Sequence, residues 1–129
     1  MSSFGKSSLS ALRTADPRLQ QICYELIPYV DFRVMCGHRS PEEQLKAFNA
    51  GKSKVRFGKH NFLPSKAIDV SPWPIVWGDT GRFRVFAGQF LLMAKMLVIP
   101  IRWGGDWDRD TFTTDQEFND LVHFEIYGE

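Results

Sequence analysis

The sequence predicts an α+β domain, and three observations support this. Segments whose apolar residues recur at helical spacing stand near the start and in the middle of the chain. Short apolar segments and two long polar loops lie between and after them. Helices that come first, with short strands interleaved with long loops, are typical of α+β folds. The 129 residues fit a single domain over 1–129, which can bury one hydrophobic core without disulfides.

Helical spacing of apolar residues predicts three helices, over about 16–28, 40–51 and 82–98. A capping residue followed by Pro begins each of the first two, and Pro or Gly stands at the end of all three. Leu45 and Phe48 of the second helix are expected to face inward. Residues 1–15 are predicted to form a polar lead-in.

Short strands are predicted between these helices and after them, over 32–36, 66–70, 101–103 and 121–127. Two long polar loops are predicted over 51–65 and 104–119, and a turn-rich loop over 71–81. Loops of this length in a compact domain are often functional. We therefore look for chemistry in and beside them.

Charge and composition argue against several classes of protein. The net charge is +1 without a run of like charge, whereas nucleic-acid binders show a basic excess, so no nucleic-acid partner is expected. The most apolar window, Phe90–Ile101, is too short to span a bilayer and contains Lys95, so no stable membrane association is expected. The N-terminus lacks the apolar stretch of a secretory signal, which predicts synthesis in the cytoplasm. Cys23 and Cys36 have no metal-type spacing and are expected to be buried free thiols.

Histidines and carboxylates provide the candidate chemistry. His60 precedes Asp69 by nine residues across a loop, and His123 follows Asp120 by three in a predicted strand. Two imidazoles and one carboxylate make a zinc site with an open fourth position for water, and a nearby carboxylate can take a proton from that water. A single histidine in a strand is more often structural than a ligand, so these residues alone leave both interpretations open.

Longer motifs carry a resemblance to a known family. The run Gly58–Asp69, followed far downstream by Asp120–Phe124, resembles the M15 family of zinc peptidases. Gly37–Gln44 is similar to the helix start of that family, and Gly51–Lys54 and Arg102–Trp107 are similar to segments of its endolysin branch. The likeness covers nearly the whole chain in the same order.

The resemblance implies a fold, a metal and a set of residue roles. The fold would be the D-alanyl-D-alanine peptidase/hedgehog-like one, with helices packed on a small antiparallel sheet. One Zn²⁺ ion would be held by His60, Asp69 and His123. Asp120 would be the catalytic base, and Arg39 would stabilise the oxyanion of the tetrahedral intermediate.

Five further residues are candidates for contact with substrate. Gln44 and Ser53 are candidates by family likeness. His38 neighbours Arg39 and is expected to be structural or to touch substrate, since three ligands are already supplied. Trp73 and Trp103 are expected to belong to a cleft wall with Trp77 and Trp107, although at least half of these four rings should lie in the core. Asp106 and Asp108 could bind a second cation or cap a turn, and we favour the turn.

The family includes peptidases of different bond choice, and the resemblance favours an endolysin that cleaves the L-alanyl-D-glutamate bond of the peptidoglycan stem peptide. Such an enzyme would be a monomer that waits in the host cytoplasm for a holin to open the membrane, and then degrades the cell wall. One alternative is a D-alanyl-D-alanine carboxypeptidase, which would normally carry an export signal. The other is a non-catalytic zinc- or wall-binding module, which would not need Asp120 and Arg39.

Overall fold

An antiparallel sheet of four strands lies at the centre of the computed structural model, which describes residues 2–51, 58–111 and 120–128. The strands are β1 (Phe32–Cys36), β2 (Ala67–Pro72), β3 (Ile101–Gly104) and β4 (Asp120–Ile126). They lie in the order β1-β2-β4-β3, and each neighbouring pair is antiparallel. This confirms the predicted α+β fold and puts β2 and β4 in the middle of the sheet.

Helices of the described residues are α1 (Lys6–Leu12), α2 (Pro17–Leu26), α3 (Pro41–Asn49) and α4 (Thr80–Met96), with a 3₁₀ turn at Lys59–Asn61. The last three α-helices correspond to the three predicted ones. None of the helices in these residues is long and apolar enough to cross a membrane.

The first helix corrects the sequence analysis, because residues 1–15 are not simply a polar lead-in. Leu12 of α1 is fully buried, and Ser8 Oγ accepts a hydrogen bond of 3.2 Å from the Val34 amide of β1. α1 has only seven residues, which is too few for a clear helical period in the sequence. Its contacts with the sheet therefore stabilise it more than its own propensity does.

Side-chain caps begin α2 and α3 as predicted. The Asp16 carboxylate accepts a hydrogen bond of 2.8 Å from the Arg18 amide. At α3, Ser40 Oγ accepts from the Glu43 amide and the Glu43 carboxylate accepts from the Ser40 amide, which completes the capping box.

The inner face of α3 is polar, so the prediction for Leu45 is wrong. Leu45 is 46% exposed, whereas its neighbour Gln44 is 2% exposed. Gln44 Oε1 accepts a hydrogen bond from Arg39 at 3.0 Å, so the helix turns an amide toward a guanidinium rather than a leucine toward the core. Phe48 is partly buried.

One face of the sheet carries the hydrophobic core. Ile68 and Val70 of β2, and Phe124 and Ile126 of β4, are fully buried on this face. α4 covers it with an apolar side that includes Phe90, whose ring centroid lies 4.2 Å from that of Phe124. Because strand side chains alternate between faces, the residues between these positions point to the opposite face.

The two cysteines are free, but they differ in surroundings. Cys23 is buried in the core, and that burial raises the pKa of its thiol. Cys36 ends β1 and is partly exposed, so the prediction of burial is correct only for Cys23.

Candidate metal centre and catalytic cleft

The polar face of the sheet brings together the three residues predicted as metal ligands. Asp69 of β2 and His123 of β4 are cross-strand partners, and His123 Nδ1 lies 3.4 Å from Asp69 Oδ1. His60 comes from the 3₁₀ turn, with Nε2 3.1 Å from the same Asp69 oxygen. One donor atom from each of the three residues lies within 4.8 Å of the others.

The second nitrogen of each imidazole is already engaged, which decides which nitrogen can bind a metal. His60 Nδ1 lies 2.7 Å from the Gly37 carbonyl, and His123 Nε2 lies 2.8 Å from Glu125 Oε1. Since a carbonyl or carboxylate can only accept, both of these nitrogens carry the proton. The lone pairs of neutral imidazoles would then lie on His60 Nε2 and His123 Nδ1, both of which face Asp69. Two imidazole nitrogens and one carboxylate, with hydrogen bonds that orient the rings, fit a zinc site with an open position.

The loop that carries His60 is hydrogen-bonded to the segment between β1 and α3. The Arg39 amide donates to the His60 carbonyl at 2.8 Å, and the Asn61 side-chain amide donates to the Arg39 carbonyl at 2.8 Å. Gly37 is needed on that segment, because a Cβ there would lie 2.3 Å from the Ala11 carbonyl oxygen. The close approach of the N-terminal region therefore sets the position of the carbonyl that orients His60.

Electrostatics show that the cluster needs positive charge. Burial acts to raise the pKa of Asp69, but hydrogen bonds from His123 and His60 outweigh it and hold that pKa well below its usual range. Burial acts to lower the pKa of His60, but the hydrogen bonds and charge of Asp69 and Cys36 together outweigh it and raise the pKa to about 10. Burial likewise acts to lower the pKa of His123, but its interactions with Asp69 and Glu125 together raise that pKa. A divalent cation would supply this charge in place of protons.

Asp120 is coupled to the same cluster. It begins β4 and pairs with Gly104, where a Cβ would lie 2.2 Å from the Asp120 carbonyl oxygen. Burial raises the pKa of Asp120, and the negative charge of Asp69 raises it further. A carboxyl group with a raised pKa is a stronger base when ionised, which suits a group that takes a proton from water.

Arg39 contacts the Asp69 oxygen that the two imidazoles do not face. Its Nη2 lies 3.4 Å from Asp69 Oδ2, and its Nη1 donates to Gln44 Oε1 at 3.0 Å. The Arg39 side chain keeps 22% of its surface exposed. A guanidinium whose two terminal nitrogens are both engaged, but which is still partly exposed, can donate hydrogen bonds to a substrate oxygen.

Residues 1–127 match the family model described as phage L-alanyl-D-glutamate peptidase. The chain belongs to that family. It is 32% identical over 112 residues to the L-alanyl-D-glutamate peptidase of Escherichia phage T5, an alignment that covers 81% of each chain. Its fold is similar to the crystal structure of the L-Ala D-Glu endopeptidase ChiX of Serratia marcescens, with a TM-score of 0.75 and 27% identity over 95% of this chain and 88% of that one. These findings confirm the predicted family and the predicted class of enzyme.

Two of the predicted substrate contacts are buried in this chain. Gln44 holds Arg39 and has almost no exposed surface, so it does not line an open cleft. Trp103 is 4% exposed, packs near Phe124 in the core, and donates from Nε1 to the Leu121 carbonyl at 2.9 Å. Both residues therefore support the site or the core in this structure, and their contact with substrate stays a prediction.

The remaining candidates are His38, Trp73 and Ser53. His38 is partly buried outside the ligand group, and its backbone amide donates to Thr14 Oγ1 at 2.8 Å. Trp73 directly follows β2, and the Arg33 guanidinium lies 3.5 Å from its ring centroid. Ser53 lies outside the described residues.

Of two residues beside His123, sequence reasoning missed Glu125 and gave Trp107 only a place in a cleft wall. Glu125 is 5% exposed and joins His123 to Arg102, whose Nη2 donates to Glu125 Oε2 at 2.9 Å. The ring of Trp107 lies 5.4 Å from that of His123. The spacing of His123 and Glu125 was an available signal, because residues two apart in a strand share a face.

A second group of carboxylates occupies the turn after β3. Asp106 is buried, and its two oxygens accept hydrogen bonds from the amides of Asp110 and Thr111, at 3.3 and 2.9 Å. Asp108 and Asp110 are exposed beside it. Asp106 thus caps a turn, the role that sequence analysis favoured.

Proposed function

We propose that this chain is a zinc-dependent endolysin that hydrolyses the L-alanyl-D-glutamate bond of peptidoglycan stem peptides and so lyses the host cell wall. The cluster of His60, Asp69 and His123 is the observation that supports it most, together with the names of the two relatives. His60 Nε2, one oxygen of Asp69 and His123 Nδ1 would hold one zinc ion.

When bound, zinc supplies Lewis-acid polarisation of the scissile carbonyl and lowers the pKa of water. Asp120 takes the proton of the attacking water and passes it to the amine of the leaving D-glutamate. Arg39 donates to the carbonyl oxygen as negative charge develops there. Gln44 keeps the Arg39 side chain oriented for this purpose.

The experiment is digestion of purified peptidoglycan with and without a chelator, followed by mass spectrometry of the fragments. New N-terminal D-glutamate, lost on chelation and restored by zinc, is expected. Release of free D-alanine would instead establish a carboxypeptidase, and no product from folded, zinc-loaded protein would favour a binding module.

The role of Asp120 has its own test. Asp120→Asn should retain zinc and lower kcat by roughly 10²–10⁴-fold, because it removes the base without removing a ligand. Asp108→Asn changes an exposed aspartate of the neighbouring turn and serves as the matched control. An Asp120→Asn protein with normal kcat would refute the assignment.

We also propose that the protein is a monomer, held in the host cytoplasm until a holin opens the membrane. The phage origin of one relative supports this. Expression in a host with and without a holin should give lysis only in the first case. Sedimentation equilibrium should give the mass of one chain.

A further inference from the structure

The fourth helix has two apolar sides, of which the core uses only one. Val85, Leu92 and Met96 are 65%, 59% and 68% exposed. At about 100° per residue they fall within about 40° of one another, on the side of α4 opposite the buried Phe90 and Ala94. Large apolar side chains grouped in this way on a helix mark an interaction surface rather than scattered exposure. We call these three residues the outer stripe.

Basic residues border the outer stripe. Residues 80–96 contain Arg82, Arg84 and Lys95 but no Asp or Glu. Arg84 and Lys95 are exposed. Measured around the helix axis from the buried Phe83, they stand at about 100° and 120°, so both lie on the same flank of the outer stripe. Trp77, which is 61% exposed, stacks on Phe83 beyond the N-terminal end of the helix. The surface is thus apolar along its middle and cationic beside it.

A second copy of this chain is a poor partner for the surface. If two α4 helices met antiparallel with a two-fold axis between Gln89 and Phe90, near the middle of the outer stripe, Arg84 of one would lie against Lys95 of the other. Like charges placed together at an interface oppose association. A parallel pair would also find no carboxylate within residues 80–96 of the other copy.

The direction of the outer stripe relative to the metal cluster also bears on which partner can bind it. α4 packs on the sheet face that carries Ile68 and Phe124, whereas Asp69 and His123 point to the other face. A surface bound to the outer stripe would therefore leave the cluster facing away from it. Apolar side chains flanked by basic residues fit the boundary between headgroups and acyl chains of an anionic bilayer.

We propose that the outer stripe with Arg84 and Lys95 binds the surface of anionic phospholipid membranes, with the metal cluster turned away from the lipid. This contact is peripheral and spans nothing. It departs from the sequence expectation of no stable membrane association, since the sequence did not show that α4 is apolar on its exposed side. The inference does not depend on the proposed function.

The test is co-sedimentation of the full chain with vesicles of phosphatidylglycerol and phosphatidylethanolamine, compared with vesicles of phosphatidylcholine alone. Binding is expected to the anionic vesicles and to weaken with salt. The combined Val85→Ser, Leu92→Ser and Met96→Ser variant should lower partitioning by at least roughly tenfold. Arg84→Gln with Lys95→Gln should lower it and flatten its salt dependence.

Leu92→Ser and Leu45→Ser form a matched pair, because both change an exposed leucine on a helix. Only the first should weaken binding. Equal binding to neutral vesicles, no binding to anionic ones, or equal effects of the two leucine variants would overturn the proposal. A concentration-dependent dimer that Leu92→Ser abolishes would overturn it in favour of a second copy. Hydrolysis of a soluble stem-peptide fragment should be unchanged in all of these variants, which separates failure of this surface from failure of the peptidase.

Discussion

The two faces of the central sheet are both largely buried, but by different means. On one face Ile68 and Phe124 are covered by apolar side chains, a contact that depends on shape and area. On the other, His123 and Glu125 are 8% and 5% exposed and are held by hydrogen bonds and charge. Apolar packing tolerates many residue types, whereas the polar face requires particular donors at particular distances. Substitutions on the two faces should therefore affect different properties of the enzyme.

Loss of a ligand should have the largest effect. His123→Ala removes one of the three donors, so zinc content and hydrolysis should both fall to the level of a chelated sample. His38→Ala is the matched control, since His38 lies outside the ligand group and should leave zinc content unchanged. Metal analysis and a peptidoglycan assay measure both. Full zinc content in His123→Ala would remove that residue from the ligand set.

A substitution in the core should lower stability while leaving zinc binding and turnover unchanged. Phe90→Ala deletes a fully buried ring against Phe124 and should lower the free energy of unfolding by about 3–5 kcal/mol. Zinc stoichiometry and kcat of the folded fraction should be preserved. Leu92→Ala, on the exposed side of the same helix, should change the free energy by less than about 0.5 kcal/mol. Denaturant titrations compare these two helix positions, and loss of zinc from folded Phe90→Ala protein would contradict the division between the faces of the sheet.

The contrast between the apolar and polar faces of the sheet also explains which features could be predicted from the sequence. Apolar spacing located α2, α4 and the strands, because burial of one face imposes a period on the chain. The ligand set came from motifs whose order resembles that of a family. Glu125 was missed, and the hydrogen bond of Gln44 to Arg39 was not predicted, because these contacts with His123 and Arg39 are encoded by no local pattern. α1 was missed because a short helix is defined by what it packs against.

Glu125 offers a smaller and sharper test of the polar face. Glu125→Ala leaves His123 Nε2 without its acceptor and should weaken zinc binding by roughly 10–100-fold. Glu125→Gln retains an acceptor oxygen and should recover most of that affinity. Competition with a chromophoric chelator measures zinc affinity directly, apart from turnover. If the glutamine variant binds zinc as weakly as the alanine variant, the charge of Glu125 matters rather than its hydrogen bond.

The smallest expected effect concerns the cap of α2, on the apolar side of the molecule. The Arg18 side chain hydrogen bonds to the Asp16 carboxylate and holds its pKa below the usual range. A lowered pKa in the folded state stabilises the fold above the unfolded value, near 3.8, and this stabilisation is lost as pH falls through the folded value. At pH 7, Asp16→Ala should therefore lower the free energy of unfolding by about 1 kcal/mol. The difference should shrink in strong acid, while Asp16→Asn, which retains a capping oxygen, should show a weaker dependence on pH. Denaturant titrations at both pH values measure this, and a loss for Asp16→Ala that is as large in acid would mean that the carboxylate charge contributes nothing to the cap.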